Sequence, residues 1–202
     1  MAGFQSFAAT AMAGLLLSGC MAMTPPVDVT RFHNAQAAPI VPGLVVVEAN
    51  ATDEGHSRSI EYASYSAALL RELQRNGFSD ALDDPGNSEY VARYTIERAV
   101  ISASGSRSPV SVGVGGSTGS YGSGVGLGIG INLAGRPKDK IVTELSVRIT
   151  RRQSDLVVWE GRASVEAKEG SPASQPGLAA AKLAEALFRD FPGESGATIR
   201  VP

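Results

Sequence analysis

Leu145, Val147 and Ile149 alternate with Glu144, Ser146, Arg148 and Thr150, and such a period of two is satisfied by a strand that buries one face. Ile141 and Thr143 extend the inward series toward the N-terminus. After the polar turn Gln153-Ser154-Asp155 comes a second run, Leu156-Val157-Val158-Trp159-Glu160-Gly161, so the two segments are predicted to form an antiparallel hairpin. Any fold for this chain has to be built around that sheet.

Other segments add to it. Val27 to His33 and the β-branched run Gly43 to Glu48 are predicted strands, the second apolar without alternation and therefore expected to be covered on both faces. Tyr90, Ala92, Tyr94 and Ile96 alternate with Arg93, Thr95 and Glu97 in a half-buried strand, and Gly196 to Val201 suits a last edge strand. Two helices are expected. From Ser57, Ile60, Ala63, Ala67 and Leu70 form an inward stripe with Leu69 and Leu73 beside it, ended by Asn76-Gly77-Phe78 with Gly77 at the left-handed C′ position. Near Ser174-Gln175-Pro176 a second begins, with Leu178, Ala181, Ala184, Leu187, Phe188 and Phe191 inward, and Pro192-Gly193 stops it. The order predicts an α+β fold: a mainly antiparallel sheet with two helices packed on one face, plus a Gly-rich β-hairpin.

That hairpin is read from residues 111–133, which hold nine of the 23 glycines. Val125, Leu127, Ile129, Ile131 and Leu133 alternate with Gly124, Gly126, Gly128 and Gly130, while Val110, Val112 and Val114 alternate with Ser111 and Gly113. The apolar side chains fall on one face and the other is nearly bare backbone. The turn is placed at Gly116 to Ser123. Because each strand glycine costs about 0.5–1 kcal/mol relative to Ala, a compensating contact is expected at Gly124, Gly126, Gly128 and Gly130. The domain's own packing is the plain explanation, a protein partner or further copies of the chain the sharper one, and membrane entry the sharpest.

The N-terminus carries an address. Phe7 to Leu17 is an apolar segment of eleven residues, too short for the roughly 20 needed to cross a bilayer and right for a signal peptide. Leu17-Ser18-Gly19-Cys20 follows and contains the chain's single cysteine. It resembles the lipobox of bacterial lipoproteins, which implies cleavage before Cys20 and acylation of its sulfur. No Lys or Arg precedes Cys20, a departure from the usual signal peptide. Residues 1–19 are thus read as signal peptide, 20–26 as a lipidated tether and 27–202 as one domain. Because Met21 is not Asp, the resemblance implies the outer membrane, with the domain facing the periplasm.

Chemistry is harder to find. Eighteen Lys and Arg against twenty Asp and Glu provide no polybasic field, so nucleic acid is not an expected partner. With Cys20 acylated no thiol remains for a disulfide, a metal or a nucleophile, and His33 and His56 lack H-E-x-x-H spacing, so neither cofactor nor metal is expected. Gly115-Gly116-Ser117-Thr118-Gly119 matches the G-x-S-x-G nucleophile elbow, but more glycines follow where a helix is needed and both histidines come earlier. Asp53-Glu54 and Asp83-Asp84 read as solvated loop charge, and Arg151-Arg152, with Arg148 on the same strand, suits an anionic head group or equally a strand end entering a turn.

Taken with the lipobox, Val29-Thr30-Arg31-Phe32-His33, the Gly-rich segment, Val157-Val158-Trp159-Glu160-Gly161-Arg162-Ala163 and the ending Ala186 to Gly196 make the chain similar to the bacterial lipoproteins grouped as domain of unknown function 4136. The resemblance implies an envelope lipoprotein with an α+β domain and defines no active-site residue. A non-enzymatic accessory component of an envelope assembly is the expectation, attached to the membrane through Cys20 and meeting an envelope protein or further copies of itself. The alternative is a carrier that holds lipid or a small molecule between sheet and helices.

Overall fold

The computed structural model describes residues 24–34, 39–50, 59–103 and 138–202, together with the backbone of 110–119 and 122–131. Its nine strands are β1 (Val27–His33), β2 (Leu44–Ala49), β3 (Ser79–Asp80), β4 (Tyr90–Ile101), β5 (Val110–Gly119), β6 (Gly122–Ile131), β7 (Lys140–Arg151), β8 (Leu156–Lys168) and β9 (Thr198–Val201). The α-helices among the described residues are α1 (Ile60–Arg75) and α2 (Pro176–Phe188). Seven strands form one mixed sheet in the order β3-β2-β4-β7-β8-β1-β9. β2 runs parallel to β3 and β4, and the remaining pairs are antiparallel. The parallel pair explains the unalternating β2 run: β2, α1 and β4 make a crossover unit, in which the strand is covered more fully than an open antiparallel one.

Register fixes the two ends of this sheet. Val27 lies opposite Val165, Val165 opposite Thr143 and Thr143 opposite Arg98 at one end. At the other, Leu156 pairs with Arg151, Arg151 with Tyr90 and Tyr90 with Val45. The β7–β8 hairpin turns through Asp155, at φ 51°. β9 closes the edge beside β1, where the Arg200 guanidinium grips Asp28 with Nε and Nη2 at 2.8 and 3.3 Å and holds its carboxyl below the usual range.

Both helices pack on the same face, against one core that includes Val27, Val29, Leu145, Val147, Ile149, Trp159, Leu183 and Leu187. α1 begins where Ser59 accepts a hydrogen bond from the Tyr62 amide, and it ends at Gly77, φ 90°, with the Phe78 amide returned to the Leu73 carbonyl. Its buried stripe is Tyr62, Tyr65, Ala68, Leu69, Glu72 and Leu73, rotated from the predicted one, and Ile60 is exposed. The two tyrosines have far more area to bury than Ala63 and Ala67, so they set the face. α2 is corrected likewise: Leu178 is exposed, while Ala179, Ala180, Leu183, Ala184 and Leu187 are inward. Ala179 and Ala180 allow α2 a close approach to the sheet that a leucine there would prevent.

β5 and β6 form a separate two-stranded antiparallel sheet. Pairing continues to Gly119 opposite Gly122, so Gly116 to Ser123, read above as a turn, is largely laddered backbone. The glycines there cost conformational entropy, and the ladder hydrogen bonds to the partner strand offset it.

Candidate functional site

Three of the segments singled out in the sequence meet at one corner of the fold. Arg31 occupies an inward position of β1 and is almost fully buried. Its Nε donates to the Leu187 carbonyl and its Nη2 to that of Ala186, both at 2.9 Å, so a fixed cation caps the last turn of α2. Burial pushes the Arg31 pKa down and nearby Asp190 pulls it back up, a balance that leaves the group protonated.

Two residues along β1, the His33 Nε2 lies 2.8 Å from the Gly193 carbonyl. That oxygen can only accept, so Nε2 carries the proton and Nδ1 is left buried with no partner among the described residues. The His33 amide donates to the Ser195 hydroxyl at 3.0 Å, and the same hydroxyl donates to the His33 carbonyl at 3.0 Å. The Gly196 amide donates to the Arg31 carbonyl at 2.8 Å. The segment Arg189 to Gly196, which includes a cis Phe191–Pro192 peptide, is thereby bound along β1.

Trp159 completes the corner from β8. Its indole Nε1 donates to the Pro192 carbonyl at 3.0 Å, and its ring stacks on Phe188 with centroids 5.2 Å apart while Phe191 lies at 5.4 Å. Gly161 makes room for this: a Cβ there would strike the Trp159 ring and lie 2.8 Å from Leu187 Cδ1. Among the buried side-chain nitrogens and oxygens of the corner's described residues, His33 Nδ1 alone lacks a hydrogen-bond partner. The Ser195 hydroxyl bonds the His33 backbone and not its ring, so among the described residues the arrangement does the work of a clasp.

The opposite, open face of the sheet is the other candidate. A shallow depression of about 800 Å³ includes Phe32, Arg93, Ser146, Arg148, Glu160 and Arg162 in its lining. Arg93 sits directly opposite Arg148, and each turns to a carboxylate on its outer side: Arg93 to Glu48 at 3.8 Å and Arg148 to Glu160 at 2.5 Å. Arg162 reaches Glu144 at 2.9 Å. Exposed pairs of this kind contribute about 0–1 kcal/mol each, and they leave the surface charged but locally neutral.

The remaining residues of the sequence reading are dispersed. Cys20, Asp53-Glu54 and His56 lie outside the described residues. Asp83 and Asp84 are exposed beside a short turn. Arg152 ties a loop, donating to the Ser88 hydroxyl at 2.9 Å and the Pro85 carbonyl at 2.9 Å. Gly115 to Gly119 lies within β5, paired to β6, which is not the strand-turn-helix a nucleophile elbow requires. Gly124, Gly126, Gly128 and Gly130 lie along β6 opposite Ser117, Gly115, Gly113 and Ser111, so small residues share one face of that ladder. No group of three or more His, Cys, Asp or Glu arranged for a metal ion occurs among the described residues. Arg31 was not singled out by the sequence reading, although its place in the period-two series after Val27 and Val29 marks it as inward.

The family model described as domain of unknown function (DUF4136) matches residues 32–193. The chain belongs to this family. Uncharacterized protein ZMO1243 of Zymomonas mobilis is 32% identical, the alignment covering 88% of this chain and 81% of that protein. Among solved structures, a PDZ domain protein from Parabacteroides distasonis superposes with a TM-score of 0.51 at 11% identity, over 95% of this chain and 41% of that one. The chain therefore spans well under half of that protein, and the likeness is one of fold. A PelC dodecamer from Paraburkholderia phytofirmans is more distant, with a TM-score of 0.39 and 14% identity over 81% of this chain and 93% of that one.

Proposed function

We propose that this DUF4136 domain is a non-enzymatic, lipid-anchored component of the bacterial envelope, held by acylated Cys20 at the outer membrane and facing the periplasm. The observation that carries the reading is that Arg31, His33, Trp159 and Ser195 spend their hydrogen bonds on the protein's own backbone. Residues so committed hold a fold and are not free to turn over a substrate. Leu17-Ser18-Gly19-Cys20 behind its apolar segment supports the address.

In this reading the Gly-rich β5–β6 pair is the contact surface for an envelope protein or a second copy, its bare backbone allowing close approach. A carrier would need room between sheet and helices, and that space is filled by Trp159, Tyr65, Leu69, Leu183 and Leu187. The test is affinity capture of the full-length protein from its own envelope, with Cys20→Ala as control. A specific protein recovered with wild type and lost with the control supports the assembly role. Membrane lipid recovered without protein overturns it.

A further inference from the structure

We propose that the end of the sheet entered by Thr24 rests on the lipid bilayer, so that the domain meets the membrane with one fixed face. This rests on the acylation of Cys20 proposed above. Three residues lie between Cys20 and Thr24, four residue steps, a span of at most about 14 Å even when fully extended. β4 and β7 are 12 residues each, about 40 Å from end to end. The tether is short against the domain, and the acyl chains hold one end of it at the bilayer.

What stands at that end is apolar. Thr24 lines a groove of about 370 Å³ together with Leu178, Ala181, Val201 and Pro202, and Lys182 and Glu185 line it as well. Leu178 is 52% exposed. Across the same end lie Val100 and Ile101 at the close of β4, 63% and 48% exposed, and Ile60 at the start of α1, 88% exposed. Arg98 places them there, because it shares the row of Val27 and bonds both Glu61 of α1 and the Ser174 carbonyl ahead of α2. Exposed apolar residues also occur at the far end, among them Leu44, Leu82 and Leu156, but the tether cannot bring those to the membrane.

Charge does not drive the contact. Lys138, Lys140 and Lys168 are matched at this end by Asp139, Glu166 and Glu169, with Lys140 and Glu166 paired at 2.6 Å. Burial of the apolar side chains in the headgroup region does, and Lys182 in the groove is matched by Glu185 beside it. The chain also leaves β4 at Ile101 and returns at Lys140, so β5 and β6 depart from the membrane-facing end.

The experiment uses the acylated protein in vesicles of phosphatidylethanolamine and phosphatidylglycerol containing a nitroxide-labelled lipid. A fluorophore is attached at Val100→Cys, at Leu178→Cys or, as the far-end reference, at Leu82→Cys, all exposed positions whose replacement leaves the core intact. Quenching severalfold stronger at the first two than at the third, and insensitive to salt, is the expected result. Equal quenching at all three on a protein whose Cys20 carries acyl mass overturns the orientation and leaves the anchor standing. An unacylated Cys20 in the mass spectrum overturns both.

Discussion

Arg31 holds Leu187 across 156 residues of chain, its Nε 2.9 Å from the leucine carbonyl and its Nη2 2.9 Å from that of Ala186. An interior guanidinium has been exchanged for two otherwise orphaned carbonyls at a helix end. Arg31→Met keeps the apolar stem and strands both oxygens away from water. The expected loss is about 3 kcal/mol, read from urea unfolding, and Arg31→Lys should restore only part of it because an ammonium lacks the planar fork. Wild-type stability in Arg31→Met would show that the clasp contributes nothing.

Gly161 is a second point where a small change should be felt. Adding one methyl forces Trp159 or Leu187 out of place, and overpacking of this kind costs about 1–3 kcal/mol. Gly161→Ala is expected to lower the denaturation midpoint and shift the near-ultraviolet signal of Trp159, the chain's single tryptophan.

Tyr65 should behave in the opposite sense. Its hydroxyl is buried without a partner among the described residues, and burial pushes its pKa up to about 12. Tyr65→Phe removes that unsatisfied group and is expected to stabilise the domain by about 1 kcal/mol. The sign of the pH effect follows from the raised value: the neutral phenol is favoured in the folded state. Its contribution is complete below the unfolded tyrosine value of 10.0 and is lost as pH climbs through about 12. Unfolding curves on either side of pH 10 should show wild type losing more stability than Tyr65→Phe.

For the Gly-rich pair, replacing Gly126 and Gly128 together with Val should abolish partner or self association while circular dichroism and melting stay near wild type. Association that survives on an intact fold would remove the bare backbone face from the proposal.

The strands were legible because each shows its own period: Leu145 to Ile149 and Tyr90 to Ile96 state which face is buried without reference to anything distant. The helix faces were less so. Leu178 and Ile60 looked inward on spacing alone, but the closeness of the sheet and the bulk of Tyr62 and Tyr65 decided the rotation, and both are tertiary facts. The clasp was legible as parts and not as a whole. Val29 to His33, Trp159 to Gly161 and Phe191 to Gly196 were each noticed, yet nothing local says that an arginine on β1 finds its acceptors at the end of α2.

The place of β1, between β8 and β9, bears on when the domain can form. Asp28 pairs with Ser164 on one side and Arg200 on the other, so the first strand finds neither neighbour until almost all of the chain has been synthesised. Closing loops of that length is slow and entropically costly. The polypeptide therefore emerges from the ribosome without its sheet completed, the state in which a chain can still be threaded through a narrow export channel. Under the export proposed above, this topology would hold the sheet incomplete until the chain had crossed.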